Sequence, residues 1–327
     1  MLTSKAIRHQ SSTTAATTPK KTLLLTLDAF ETLFHPRDSV PKQYASAAHS
    51  FGISPTLITE ERIKASFKDA YKAQVKRRPN YGRRDVLLGE YGGPKQWWDE
   101  IIRSALVRAM KEDNKEEDAA IPDALVESLI GRFSNSEGYK LYDDVVPFFD
   151  KMKRLKCNDE STPMRMFNRV LIGIISNSDD RIPAVLKSLG LTVGDVRADE
   201  RRLLGFEGIS KIDADHKAEN DNNDIDLVIT SYEAGEVKPS RVIFDIAKRQ
   251  AHRLMVRGGE NDIGEWVYVH VGDDDENDYG GAINAGWHSY LLLRGKDSDV
   301  DMSRVDANTI HSLMDLFPQL GKYASRQ

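Results

Sequence analysis

Short apolar runs alternate along most of the chain with segments in which apolar residues recur every three or four positions. The runs at residues 22–27, 170–176, 227–230, 266–271 and 289–293 are predicted to be buried strands, the last of them the final strand. Helices are predicted at residues 145–155, 182–189, 241–252 and 280–285. Because alternating strands and helices favour a parallel sheet covered on both faces, we predict an α/β fold with a Rossmann-like core.

A block between residues 41 and 132 departs from this alternation. Its apolar residues keep helical spacing, and it has almost no strand signal. We therefore predict an α-helical cap at residues 39–138, inserted into a core formed by residues 22–38 and 139–327. Trp97 and Trp98 in this block are interpreted as packing within the cap and against the core, rather than as a substrate lid.

Three segments are strongly polar. Residues 1–21 are basic, rich in hydroxyl groups and free of acidic residues, so we expect either a flexible tail or a mitochondrial targeting segment. Residues 158–168 and 211–226 are predicted to be surface loops. The second is acidic, but it lacks the glycine and the terminal glutamate of an EF-hand calcium loop.

Composition limits the class of protein. The chain has 327 residues, a net charge of −5, 40% hydrophobic residues and a single cysteine. It has no apolar run of about 18 residues, so no transmembrane helix is predicted. The acidic balance disfavours nucleic acid as a partner. We expect an intracellular protein, cytoplasmic or mitochondrial, that binds neither membrane nor nucleic acid; the sequence does not decide the oligomeric state.

Four polar segments follow predicted strands or precede a predicted helix, and they read LDAFETLF, SNSDDR, GEVKPSRVIF and VGDDDENDYGGAINAGW. Ligands of open α/β sheets bind beyond the carboxyl ends of the strands, so these segments are expected to meet in one site. The candidate site residues they supply are Asp28, Thr32, Ser176, Asn177, Lys238, Asp273 and Asp278.

The four segments, in this order, resemble the motifs of the haloacid dehalogenase-like (HAD) hydrolase superfamily. The resemblance implies a nucleophile at Asp28, a charge-neutralising lysine at Lys238, and substrate contacts from Thr32, Ser176 and Asn177. It also implies Mg²⁺ as cofactor, held by Asp28, by the backbone carbonyl of Phe30 and by Asp273, with Asp278 in support. The substrate implied is a small phosphorylated metabolite, hydrolysed through an aspartyl intermediate.

The sequence departs from the superfamily's phosphatases at Phe30, where those enzymes carry an aspartate that donates a proton to the leaving group. Phenylalanine cannot transfer a proton, and losing such help typically costs about 10²–10⁴-fold in rate. Glu31 is disfavoured as a replacement, because neighbouring side chains of an extended segment face opposite ways. Three hypotheses remain open: a phosphatase for substrates with good leaving groups, a dehalogenase-like enzyme that hydrolyses a carbon–halogen bond, or a ligand-binding pseudoenzyme.

Overall fold

A computed structural model describes residues 21–111, 120–156, 167–198, 223–257, 264–295 and 308–324. Three predicted features lie outside these residues: the tail up to residue 20, most of the loop at 158–168, and residues 211–222 of the acidic segment.

Seven parallel strands form the main sheet. They are β1 (Lys21–Leu27), β4 (Arg169–Ser176), β5 (Val193–Val196), β6 (Ile225–Thr230), β7 (Glu265–Gly272), β8 (His288–Leu292) and β9 (Thr309–Ile310). Their order in the sheet is β5–β6–β4–β1–β7–β8–β9. The predicted Rossmann-like α/β core is confirmed.

Strand β1 lies at the centre of the sheet, hydrogen-bonded to β4 on one side and to β7 on the other. Every residue of β1 is buried. Because side chains alternate along a strand, Leu23, Leu25 and Leu27 pack into the apolar cluster on one face, and Leu24 packs into the cluster on the other. Burial on both faces fixes the register of this strand, and with it the position of Asp28 immediately after its end.

Helices cover both faces of the sheet. Side chains from the helices at residues 145–156, 182–188 and 316–324 join the cluster that contains Leu23, and side chains from the helices at residues 241–257 and 281–284 join the cluster that contains Leu24. None of the described helices is both long and apolar enough to cross a bilayer. Among the described residues, the α-helices outside the inserted segment are α6 (Val145–Lys156), α7 (Ile182–Ser188), α8 (Ser231–Ala234), α9 (Arg241–Arg257), α10 (Gly281–Asn284) and α11 (Leu316–Ala324).

In the described part of the chain, five α-helices follow one another between two short antiparallel strands, β2 (Phe34–Pro36) and β3 (Tyr139–Leu141). We call these five the helical segment: α1 (Val40–Ser50), α2 (Glu60–Arg77), α3 (Arg83–Leu87), α4 (Pro94–Met110) and α5 (Asp123–Arg132). Ser39 and Thr59 cap α1 and α2 by accepting hydrogen bonds from backbone N–H groups, as helix starts require. The segment lies within the range predicted for a cap, while the division into domains stays a prediction.

Some boundaries differ from the predictions. Lys21, assigned to the tail, is the first residue of β1 and donates from Nζ to the Tyr323 carbonyl at 2.7 Å. The end of the predicted acidic loop is also ordered: Asp224 and Asp226 are buried, and Asp226 lies in β6. A buried carboxylate needs partners, and Asp226 accepts from Lys156 Nζ and from the Ile172 N–H, both at 2.7 Å. The prediction that residues 289–293 form the last strand is wrong, because β9 follows.

Candidate active site

The carboxyl ends of three adjacent strands bring the predicted residues together. Asp28 directly follows β1, and its N–H continues the ladder by donating to the Val271 carbonyl of β7 at 2.9 Å. Ser176 is the last residue of β4, and Asp273 follows the last residue of β7. Asp28 is 7% exposed and Ser176 is 1% exposed, so the centre of the site is nearly closed to solvent.

Lys238 is buried and has a full set of acceptors. Its ammonium group donates to Asp28 Oδ1 at 2.6 Å, to Asp278 Oδ1 at 2.6 Å and to the Ile175 carbonyl at 2.8 Å. An ammonium group has three protons, and these three acceptors use all of them. Lys238 is therefore fixed in place as a positive charge beside Asp28.

The loop after β7 folds Asp278 back toward the sheet. Asp278 Oδ2 accepts from the N–H of Asp274 at 3.1 Å, while Oδ1 lies 3.1 Å from His270 Nε2. Gly272 makes room for this carboxylate: a Cβ atom at Gly272 would lie 2.2 Å from Asp278 Cγ. Only glycine allows so close an approach without moving the acid.

Oxygen ligands from Asp28, Asp273 and Asp278 lie within 4.8 Å of one another. Such a set of carboxylate oxygens suits Mg²⁺, a hard cation that prefers oxygen. Three carboxylates and one ammonium leave an excess of negative charge that a divalent cation would offset. The turn after Asp28 uses the Ala29 carbonyl and the Glu31 and Phe34 N–H groups, and so leaves the Phe30 carbonyl out of its hydrogen bonds. The donor set fits the cation.

Burial and charge shift the acidities of the site. Burial raises the pKa of Asp28 to about 7, against the neighbouring Lys238 charge and with a further contribution from the Asp278 carboxylate. Burial also disfavours the charged form of Asp278, but Lys238 and His270 together hold the pKa of Asp278 well below its usual range. The negative charge in this pair therefore resides first on Asp278.

The hydroxyl and amide residues of the prediction have clear neighbours. Thr32 is fully buried and donates from Oγ1 toward Asp273 Oδ1 at 3.4 Å. Asn177 binds the backbone of Lys238 twice, accepting from its N–H at 2.7 Å and donating to its carbonyl at 3.0 Å. In this conformation Thr32 supports the acidic cluster, and Asn177 holds the segment that carries Lys238.

Phe30 lies where a proton donor would be expected. Its ring is half-buried and packs edge-on against Phe34 and Tyr139, with centroid distances of 4.8 and 5.6 Å. Glu31 has a φ of 54°, and its Oε2 accepts from the Tyr142 hydroxyl at 2.7 Å. The position two residues after Asp28 is thus an apolar wall, and the adjacent acid is engaged by a tyrosine.

The helical segment contacts the core beside the site. Trp98 Nε1 donates to Asp179 Oδ2 at 2.7 Å, and the Asp179 carboxylate also pairs with Arg181 at 2.8 Å. The Tyr81 hydroxyl donates to the Asn177 carbonyl at 3.4 Å. Trp97, by contrast, is buried among the helices and donates to the Arg78 carbonyl at 2.9 Å.

His270, a residue of β7, was not predicted to belong to the site. It is fully buried and lies between Thr26 Oγ1, 2.8 Å from Nδ1, and Asp278 Oδ1, 3.1 Å from Nε2. A signal exists in the sequence: a histidine interrupts the apolar run VYVHVG just before the acidic motif. A polar side chain inside a fully buried strand must have a hydrogen-bonding partner, and that partner is in the site.

A family model described as HAD-hydrolase-like matches residues 237–316, the part of the chain that contains Lys238, Asp273 and Asp278. Similar sequences cover most of the chain. A human protein, haloacid dehalogenase-like hydrolase domain-containing protein 3, is 27% identical over 300 residues, 91% of this chain and 93% of its own. The chain is therefore similar to proteins of the HAD hydrolase superfamily, and the predicted resemblance is confirmed.

A further sequence and a solved structure also match most of the chain. An uncharacterized protein of Saccharomyces cerevisiae is 29% identical over 281 residues, 83% of this chain and 72% of its own. The magnesium-bound crystal structure of YfnB from Bacillus subtilis, described as a HAD-hydrolase, superposes with a TM-score of 0.50 at 15% identity. It covers 93% of this chain and 99% of its own, which shows a shared fold.

Proposed function

We propose that this protein is a Mg²⁺-dependent, phosphatase-type HAD hydrolase that acts on a small phosphorylated metabolite through an aspartyl intermediate at Asp28. The observation that carries the proposal is the contact of the Asp28 carboxylate with the buried Lys238 ammonium, with Asp273 within reach of the same cation site. The coarser conclusion, a HAD-like hydrolase, also rests on relatives that are named as hydrolases.

In the first step, Asp28 Oδ2 attacks phosphorus, because Lys238 holds Oδ1. The bond from phosphorus to the leaving oxygen breaks, and that oxygen keeps the electron pair. In the second step, a water oxygen attacks the aspartyl phosphate, Asp28 is released as a carboxylate, and the proton of that water passes to phosphate or solvent. Asp28, the Phe30 carbonyl and Asp273 would hold Mg²⁺, which supplies positive charge next to the transferring phosphoryl group.

Phe30 defines the leaving group in this proposal. No proton donor occupies its position, so an alkoxide leaving group would depart unassisted. A leaving group that is stable as an anion, such as the carboxylate of an acyl phosphate, needs no proton. We therefore propose acyl phosphates or comparably activated phosphoryl groups as the substrate class.

We also propose that the helical segment acts as a cap. The contacts of Tyr81 with Asn177 and of Trp98 with Asp179, beside the nearly buried Asp28, support this role, because movement of the segment would then control the access of substrate. The cap would exclude water while the aspartyl intermediate exists.

Phe30 favours a second candidate, dehalogenase-like hydrolysis, because a halide leaves without a proton. One experiment separates the two. Acyl phosphates, phosphate monoesters and 2-haloacids are incubated with wild type and with Asp28→Asn, each with and without Mg²⁺. Metal-dependent release of phosphate that is lost in Asp28→Asn supports the proposal. Metal-independent release of halide would support the alternative, and no turnover of any substrate would indicate a binding protein.

A further inference from the structure

A line of buried polar groups extends from the candidate nucleophile into the centre of the sheet. Asp28 contacts Lys238, Lys238 contacts Asp278, Asp278 contacts His270, and His270 contacts Thr26. Every neighbouring pair in this line lies within 3.1 Å. The proposed reaction uses Asp28 and Lys238 and leaves Asp278, His270 and Thr26 without a role.

The backbone fixes the far end of this line. Thr26 of β1 and His270 of β7 are paired in the parallel register. Gly173 of β4 makes space for the threonine, since a Cβ atom at Gly173 would lie 3.2 Å from Thr26 Cγ2. The imidazole also packs edge-on against Phe244, with ring centroids 5.3 Å apart. The ring is held on both sides and cannot turn freely.

The partners of His270 specify where its ring proton lies. The Asp278 carboxylate can only accept, so Nε2 must carry the hydrogen and donate it. In the neutral ring Nδ1 is then an acceptor, and the Thr26 hydroxyl can donate to it at 2.8 Å, a shorter contact than the 3.4 Å from the same hydroxyl to the Val269 carbonyl. The threonine therefore selects the neutral tautomer whose N–H points at Asp278.

Asp278 needs this donor to keep its orientation. Its Oδ1 receives both Lys238 Nζ and His270 Nε2, and its Oδ2 receives the Asp274 N–H. Loss of the histidine donor would leave this buried oxygen to the lysine alone. The carboxylate could then rotate and carry the Lys238 ammonium away from Asp28, because the lysine bridges the two acids.

We propose that His270 is a positioning residue: with its tautomer set by Thr26, it orients Asp278, and through Asp278 it holds Lys238 against Asp28. The kinetic part of this inference rests on the proposed function. The tautomer part does not, because it concerns only side chains of this chain.

Two pairs of variants test the proposal. His270→Gln keeps an amide N–H near the Nε2 position, whereas His270→Asn keeps only a group near Nδ1. Thr26→Ser keeps the hydroxyl, whereas Thr26→Val removes it at nearly equal volume. Changes to groups that orient reacting residues typically cost about 10–100-fold. We expect a fall of that size in kcat, with little change in KM, for His270→Asn and Thr26→Val, and recovery of most of the activity in His270→Gln and Thr26→Ser.

Long-range ¹H–¹⁵N spectra provide a readout that does not depend on activity. We expect wild-type His270 to be neutral with the proton on Nε2, and Thr26→Val to lose this single tautomer. If both variants of each pair lost kcat equally, and the losses followed the fall in melting temperature, His270 would only contribute packing, and the proposal would be overturned. A proton on Nδ1 in the wild type would overturn it as well. If the wild type turns over none of the substrates, the proposed function fails, and the spectra of the wild type and Thr26→Val still decide the inference.

Discussion

At the scale of the residue, the side chain at position 30 has the clearest consequence. Phe30 packs against Phe34 and Tyr139 in place of a proton donor. The two acids near Phe30 have other partners: Glu31 accepts a hydrogen bond from Tyr142, and Asp28 accepts one from Lys238. Under the proposed function, the absence of a proton donor at position 30 therefore limits the substrates as much as the shape of the site does.

Restoring the proton donor should broaden the activity. We expect Phe30→Asp to raise kcat for phosphate monoesters by roughly 10²-fold, the lower end of what general acid help supplies, and to leave acyl phosphate hydrolysis nearly unchanged. Steady-state kinetics on the two substrate classes measures this. Phe30→Asn is the matched control, since it brings the same polarity without a transferable proton. An equal gain in Asn and Asp would show that polarity or space, not acid catalysis, limits the wild type.

Asp28 should make the metal-free protein less stable as pH rises. Its pKa is raised to about 7 in the folded protein, above the ordinary value of an unfolded aspartate, so stability present in acid is lost as pH rises toward neutrality. Asp28→Asn removes this dependence. We expect the melting temperature of the variant, relative to wild type in a chelator, to be higher at pH 8 than at pH 5. A difference that stays constant across this range would contradict the assignment.

At the scale of the element, the contacts between α4 and the loop after β4 matter most. Trp98 and Trp97 are adjacent in the chain but point to different partners, Asp179 of the core and Arg78 of the helical segment. Although burial opposes it, Arg181 and the Trp98 N–H hold the pKa of Asp179 below its usual range, so its carboxylate is charged at neutral pH. Trp98 thus joins the helical segment to the core, whereas Trp97 packs within the helical segment.

Removing the Trp98 donor should favour an open form. Hydrogen bonds to charged groups contribute about 1.5–3 kcal/mol, so Trp98→Phe should shift the equilibrium toward opening by on the order of tenfold or more. Hydrogen exchange of Asn80–Gly82 and of α8 should speed up accordingly. Trp97→Phe is the matched control, and it should destabilise the helical segment without selectively exposing α8. Unchanged exchange in Trp98→Phe would mean that this contact does not hold the layers together.

Sequence patterns reveal some of these elements and not others. Strands β1, β4, β6 and β7 have nearly continuous apolar runs, because most of their residues are buried on both faces. The short strands β2, β3, β5 and β9 have no such runs, and their pairing depends on what lies beside them in the fold. Asp224 and Asp226 were assigned to a surface loop, but both are buried and Asp226 lies in β6. Charged residues are usually exposed, and the partners Thr192 and Lys156 are distant in sequence.

In the candidate site, too, some residues could be predicted from the sequence and others could not. Asp28, Lys238, Asp273 and Asp278 could be predicted because each stands in a motif at a strand or helix boundary. His270 could not be assigned in this way, since its partner Thr26 is more than 240 residues away and only the register of β1 with β7 joins them.

At the scale of the whole molecule, the negative charge collected at one edge of the sheet predicts a response to metal. We expect Mg²⁺ to raise the melting temperature, since a ligand at about 100 times its Kd stabilises a protein by about 2.7 kcal/mol, or several degrees for a chain of this size. Asp273→Asn should abolish the shift in a thermal melt. Glu276→Gln, an exposed acid of the same turn, should preserve it. A shift that survives in Asp273→Asn would place the cation elsewhere.

The central position of β1 has a consequence for biosynthesis. Its neighbours β4 and β7 begin about 150 and about 240 residues later in the chain. At about 5–20 residues per second, the ribosome needs roughly 12–50 s to supply the second of them. Both edges of β1 stay unpaired until β4 is made, and the edge that pairs with β7 stays unpaired for the whole period, while the helical segment is already complete. The buried strand that precedes Asp28 is thus exposed to aggregation on the ribosome for that time.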